Sequence, residues 1–189
     1  MEQLQNRKWE LQNLICHIGP PLVDTFKDYY DFNEEKTKQA VKKYKERFEE
    51  VGWCENIVYD GMEDTLRALK ESGKILIVAT SKPENMAKKI LDYFQLSQYF
   101  TDICGAAENG YRAKKHEVIQ YAIDKNGIDN IDEIIMVGDR NYDILGAKNV
   151  GIKSLGVLYG FGSLKEFEDA GADYIAKTVS EMKEICLSL

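Results

Sequence analysis

Apolar residues recur at helical spacing through the opening part of the chain. Leu4, Leu11, Leu14, Ile15 and Ile18 mark one helix face, and Gly19, Pro20 and Pro21 stop it. Leu22, Phe26 and Tyr29 form a second, shorter stripe. Val41, Tyr44, Phe48 and Val51 line a third helix, with Asn33 as its N-cap and Glu34 and Glu35 in its first turn. The other faces of that helix carry Lys and Glu, as a solvated surface does.

From Gly61 the pattern changes. Residues 62–72 read as a helix closed by Gly73, and residues 74–80, KILIVAT, as a short buried strand rich in Ile and Val. Pro83 suits the first turn of a helix carrying Met86, Ile90, Leu91 and Phe94. TDICGA at 101–106 is a weaker strand, and residues 116–126 form a helix with Gly127 past its end. EIIMVGD at 133–139, SLGVLYG at 154–160 and DYIA at 173–176 complete the strands. Ser163 with Glu166, and Thr178 with Glu181, fit the capping-box spacing and open two last helices. Strands alternating with helices predict an α/β fold, a doubly wound parallel sheet covered on both faces. The expected division is a small helical cap domain over residues 1–56 and an α/β core over 57–189.

Composition narrows the function classes. Hydrophobic residues make up 44% and charged residues 30% of 189, an ordinary globular balance. A net charge of −7 argues against nucleic acid or an anionic membrane surface as partner, but says little about small phosphorylated ligands, which a local site can attract; a monomer or homodimer is expected. Cys16, Cys54, Cys104 and Cys186 are scattered, the usage of reduced thiols in a cytoplasmic protein. His17 and His116 are the only histidines, which excludes a multi-histidine metal site. The start has no apolar signal core, and no apolar run reaches membrane-spanning length.

In open parallel sheets, ligands bind beyond the carboxyl ends of the strands. Thr80 and Ser81 end the first strong strand, where hydroxyls and backbone N–H groups suit phosphate; either residue could equally cap the next helix. A serine-nucleophile reading is weak, with no Gly-x-Ser-x-Gly elbow and only His116 as a base. Asp139 ends the second strong strand after Gly138, and suits a hard cation such as Mg²⁺. Asp143 opens the following helix, as metal-site residue or simple N-cap. Lys114 and Lys115 precede a helix, where a lysine could neutralise phosphate or an aspartate, or be plain surface.

In this order, the strand ending in Thr, the Lys opening a later helix and Gly-Asp-x-x-x-Asp after another strand resemble the haloacid dehalogenase superfamily of phosphatases. IGPPL, VATSKP, EVIQYAI, MVGDRNYDILGAK and GVLYGFGS are most similar to its phosphoglycolate phosphatase-like and 5′-nucleotidase-like branch. The resemblance runs from about Leu11 to the C-terminus. It implies a Mg²⁺-dependent phosphomonoesterase acting on a small phosphorylated metabolite or nucleotide. Thr80, with Ser81, would hold the phosphoryl group, and Lys115 rather than Lys114 would neutralise it. Asp139 would ligate Mg²⁺, Asp143 would support the metal through water or Lys115, and Gly19, Pro20 and Pro21 would shape the substrate-facing loop of the cap.

One part of the family pattern is missing. Its first motif, Asp-x-Asp-Gly-Thr after an opening strand, supplies the nucleophile and the general acid–base. The sequence contains no such run. Asp60, Gly61, Asp64 and Thr65 look like a scrambled version, but their spacing is wrong, and the helical spacing of Met62, Leu66 and Leu69 makes Asp64 and Thr65 an ordinary polar face. The expectations are therefore a sheet missing its opening central strand and a truncated chain inactive by itself. The alternative is a non-catalytic phosphate- or partner-binding protein derived from such a phosphatase.

Overall fold

The computed structural model describes residues 18, 19, 22–107 and 112–189. The helix expected around Leu4, Leu11, Leu14 and Ile15 lies outside them, as do Pro20 and Pro21. The chain divides into two compact units, residues 1–47 and 48–189.

The described part of the first unit is helical. Helix α1 (Leu22–Tyr30) carries Phe26 and Tyr30, whose rings pack with Phe32 at centroid distances of 5.6 to 5.9 Å. Helix α2 (Glu34–Glu50) starts where expected, because Asn33 Oδ1 accepts the Lys36 N–H at 3.0 Å. The Thr37 hydroxyl donates to Phe32 O at 3.3 Å and ties the first turn to the preceding loop.

The second unit alternates helix and strand. Helix α3 (Met62–Glu71) is followed by β1 (Ile77–Pro83), α4 (Glu84–Tyr93), β2 (Asp102–Ala106), α5 (Lys115–Lys125) and β3 (Ile135–Gly138). Helix α6 (Asn141–Val150), β4 (Lys153–Val157), α7 (Leu164–Ala170), β5 (Tyr174–Ala176) and α8 (Val179–Ser188) complete it. Pro83 is not in the first turn of its helix. It ends β1 in extended conformation, φ −51° and ψ 134°, because the strand bulges after Thr80 and rejoins β2 at the Pro83–Ala106 pair.

All strand pairs are parallel, in two sheets: β1–β2, and β3–β4–β5. β1 and β3 are not paired with each other, so among the described residues each has an edge without a strand partner. Residues 77–80 and all of β3 are only half-buried, whereas Cys104, Gly105 and Ala106 of β2 and Ser154 to Val157 of β4 are buried. The unpaired edges lie where the family resemblance places the opening strand.

Helices join what the strands do not. On one face, α3 sends Leu66 into a cluster with Leu96, Tyr99 and Leu91, the last on α4, the helix that covers the first sheet. Its Leu69 packs with Leu155, Val157, Ala176 and Met182 over the second. On the other face, Ile119 and Ile123 of α5 pack with Ala147 and Ile152, drawing in Ala79 of β1 and Met136 of β3. α4 and α8 accompany α3, and α7 accompanies α6 through Ile144 and Phe167. The protein thus has a doubly wound α/β fold.

Phe167 is fully buried, with its ring lying over Gly156 and Gly162 closer than a Cβ at either position would allow. Phe167→Ala should therefore destabilise the protein by about 3–5 kcal/mol, read as a lowered urea midpoint.

Candidate active site

The carboxyl ends of β1 and β3, and the start of α5, hold the candidate residues of the second unit. Thr80 ends the regular part of β1, and the bulge turns the chain so that the Lys82 N–H donates to Thr80 Oγ1 at 3.2 Å. With its oxygen already accepting, the Thr80 hydroxyl proton is free to donate elsewhere. Ser81 is exposed beside it. Neither side chain caps α4, whose N-cap residue is Pro83.

Lys115 is the first residue of α5, and its side chain leaves the helix toward the sheets. Nζ donates to Ala79 O at 3.0 Å and to Asp143 Oδ1 at 2.7 Å. The side chains of this pair are only 14% and 8% exposed, so the pair is shielded from solvent. An ammonium has three donors; Lys115 spends one on the residue before Thr80 and one on Asp143. Lys114 instead is the N-cap position of α5, and its backbone N–H donates to Glu117 Oε2 at 3.0 Å. Of the two adjacent lysines, Lys115 is the one brought to the strand ends.

The simple N-cap reading of Asp143 does not hold. It is the third residue of α6 rather than its N-cap, and Oδ2 accepts the Arg140 N–H at 3.1 Å, as a first-turn acid does. The other oxygen holds Lys115. This is possible because Gly138 lies directly beneath: a Cβ there would sit 2.2 Å from Asp143 Cβ. Gly138 is thus required by the Asp143 side chain, not by a left-handed backbone, since its φ is not positive.

Asp139 ends up held by a loop whose role was not legible in the sequence. Oδ2 accepts the Phe161 N–H at 3.1 Å, and a Cβ on Gly160 would meet Asp139 Cβ at 2.3 Å. A Cβ on Gly162 would strike Asp139 O at 2.4 Å. The two glycines of YGFGS therefore let this segment close over Asp139; the spacing Gly-x-Gly was the available signal. Glu166 was also missed as a site-supporting residue. Ser163 caps α7 by accepting the Glu166 N–H at 3.2 Å, but the Glu166 carboxylate does not return the bond. Its Oε1 takes Arg140 Nε at 2.9 Å and the Asn141 N–H at 2.7 Å, pinning the start of α6.

Burial, followed by the charge of Asp143, pushes the Asp139 carboxyl above its usual range, against the pull of the Phe161 N–H. Tyr159 is pushed up to about 12 by burial first and then by Tyr59, Cys186 and Asp139, and its ring meets that of Tyr59 edge-on at 5.0 Å. Lys82 is shifted down by burial, with Nζ 4.5 Å from the Phe48 ring centroid and no carboxylate partner among the described residues.

The donor chemistry fits part of a Mg²⁺ site. No group of three or more His, Cys, Asp or Glu residues gathers among the described residues. Mg²⁺, however, takes one or two carboxylates and completes its shell with water and phosphate oxygens. Asp139 Oδ1 takes no hydrogen bond from another described residue, and a cation beside it would offset the burial that opposes its charge. Gly19 lies in the first unit in left-handed conformation, φ 113°; nothing in the second unit's geometry bears on it.

The family model for haloacid dehalogenase-like hydrolases matches residues 1–157. The chain belongs to the haloacid dehalogenase-like hydrolase family. It is 36% identical over 176 residues to a 5′-nucleotidase of Pseudomonas aeruginosa, covering 93% of the chain and 79% of that protein. It is 25% identical over 185 residues to a phosphoglycolate phosphatase of Vibrio vulnificus, covering 98% and 81%. Among solved structures it resembles one described as a predicted phosphatase from Clostridium acetobutylicum, with 41% identity and a TM-score of 0.92, covering 100% of this chain and 87% of that one.

The raised Asp139 pKa has a consequence for stability. An acid whose native pKa lies above its unfolded value folds best when neutral, so stability is present below the unfolded range and is lost as pH rises through the native value. Asn at 139 keeps the acceptor for Phe161 and carries no charge. In metal-free buffer, Asp139→Asn should therefore raise the melting temperature at pH 7. The gain should shrink as pH falls to about 4, where the unfolded carboxyl is itself protonating.

Proposed function

We propose that this chain carries the phosphate- and metal-binding residues of a Mg²⁺-dependent phosphomonoester hydrolase for a small phosphorylated metabolite or nucleotide, without that reaction's nucleophile. The observation that carries the reading is the Lys115 ammonium, bonded to Ala79 O beside Thr80 and to Asp143 of the Asp139 segment. One side chain thereby ties together the three motifs that the sequence keeps far apart.

Each residue has a stated task. The Thr80 hydroxyl donates to a phosphoryl oxygen, and exposed Ser81 offers a second donor. Lys115 directs its remaining N–H at the same group and stabilises charge as it develops. Asp143 fixes that ammonium in place. Asp139 would hold Mg²⁺ through its uncommitted oxygen, with Asp143 supporting it through Lys115 or water; the cation would supply neutralisation of the phosphate charge. Gly19, Pro20 and Pro21 contribute to substrate choice, a reading that rests on the sequence resemblance alone. The relatives named for a nucleotide and for phosphoglycolate support a small phosphate ester as the substrate class.

Phosphoryl transfer in this reading uses an aspartate nucleophile from an Asp-x-Asp-Gly-Thr run, which residues 1–189 do not contain. Removal of a nucleophile costs about a millionfold in turnover elsewhere. The 189-residue polypeptide by itself therefore binds phosphate without turning over esters at an enzymatic rate of about 1 s⁻¹ or more. Such turnover of p-nitrophenyl phosphate by the purified polypeptide would overturn this part of the proposal.

With an Asp-x-Asp-Gly-Thr strand joined ahead of the chain, Mg²⁺-dependent hydrolysis of p-nitrophenyl phosphate should appear. Lys115→Ala should then lower kcat by about 10²–10³-fold, the usual effect of deleting one positioned donor. Lys114→Ala should leave it within a few-fold. Equal effects of the two substitutions would reject the assignment of Lys115.

A further inference from the structure

Gly146 lies on α6, buried, with a backbone that does not need a glycine, since its φ is not positive. The reason for glycine is spatial. A Cβ at 146 would come within 2.6 Å of Lys115 Cγ and 3.0 Å of Lys115 Cβ, with the His116 backbone N next at 3.3 Å. The nearest obstacles are thus atoms of the lysine stem, not of the facing helix backbone.

The path of that stem gives the contact its meaning. Lys115 leaves α5, crosses α6 over the bare face of Gly146, and reaches Asp143 one turn earlier on α6 together with Ala79 O on β1. A first bare position, Gly138, lets Asp143 lie flat on the end of β3. The second, Gly146, lets Lys115 lie flat on α6. The ion pair fits between the two.

We propose that Gly146 is a positioning residue that sets where the Lys115 ammonium stands. A methyl group there lifts the stem by about 1 Å, a displacement that costs on the order of 10²-fold when it misplaces a reacting or charge-stabilising group. For its effect on turnover the inference rests on the phosphatase reading above; for the geometry it does not.

The decisive experiment is a double-mutant cycle. Gly146→Ala is made in the unchanged protein and in a Lys115→Ala/Asp143→Asn background, which removes the stem and neutralises its buried partner. Urea unfolding is read first. Gly146→Ala should lower the midpoint in the unchanged protein and not lower it in the background without the stem, where alanine's better helix propensity can only raise it. An equal drop in both would mean that the methyl clashes with the α5 backbone, and would overturn the inference. In the protein joined to an Asp-x-Asp-Gly-Thr strand, Gly146→Ala should lower kcat by about 10- to 100-fold. It should cause no further loss once Lys115 is Ala. Additive losses would also overturn it. The unfolding cycle is read without turnover, so failure of the phosphatase reading and failure of this inference are separate results.

Discussion

The ion pair between Lys115 and Asp143 is the interaction on which the candidate site depends. It joins the first residue of α5 to the first turn of α6, and through Ala79 O it reaches the end of β1. A pair so shielded gains little net stability, because two desolvated charges must recover in mutual attraction what they lose in hydration. Breaking it is another matter: an uncompensated buried charge costs about 3–5 kcal/mol. The pair therefore acts as a geometric constraint. It is cheap to keep when both partners are in place and expensive to leave half-made.

That constraint matters more here because β1 and β3 are not hydrogen-bonded to each other. In a continuous sheet, ladder bonds would set the relative position of Thr80 and Asp139. In this chain, side chains carry that burden. The α5–α6 packing around Ile119, Ile123, Ala147 and Ile152 holds one face, and on the other α3 packs on the second sheet through Leu69 and against Leu91 of α4 through Leu66. The glycines follow from the same demand for close approach. Gly138 admits Asp143, Gly146 admits Lys115, and Gly160 admits Asp139. Each is bare because a side chain of the candidate site occupies the space a Cβ would take.

The two carboxylates four positions apart have divergent fates. Asp143 is compensated on both oxygens, by Lys115 and by the Arg140 N–H. Asp139 has the Phe161 N–H on one oxygen, and burial opposes its charge. The second carboxylate is thus a fixed counter-ion, whereas the first is the one that a cation would stabilise.

Much of this could be read along the chain. Periodicity and turn residues located the helices and strands of the second unit, because burial on one face leaves a repeat that the sequence displays directly. The order of Thr80, Lys115 and Asp139 was likewise visible, since each stands at the end of a strand or the start of a helix. Other features were settled only by tertiary contacts. Spacing could not show that Lys115, and not Lys114, turns inward, that Asp143 serves α6 and Lys115 at once, or that Glu166 leaves its own capping box for Arg140 and Asn141. Nor could it show that Gly138, Gly146 and Gly160 answer to side chains instead of turns. Local propensity depends on residues within a turn of one another. These contacts span up to 36 positions, and they exist only once two layers of helices have folded onto the strands.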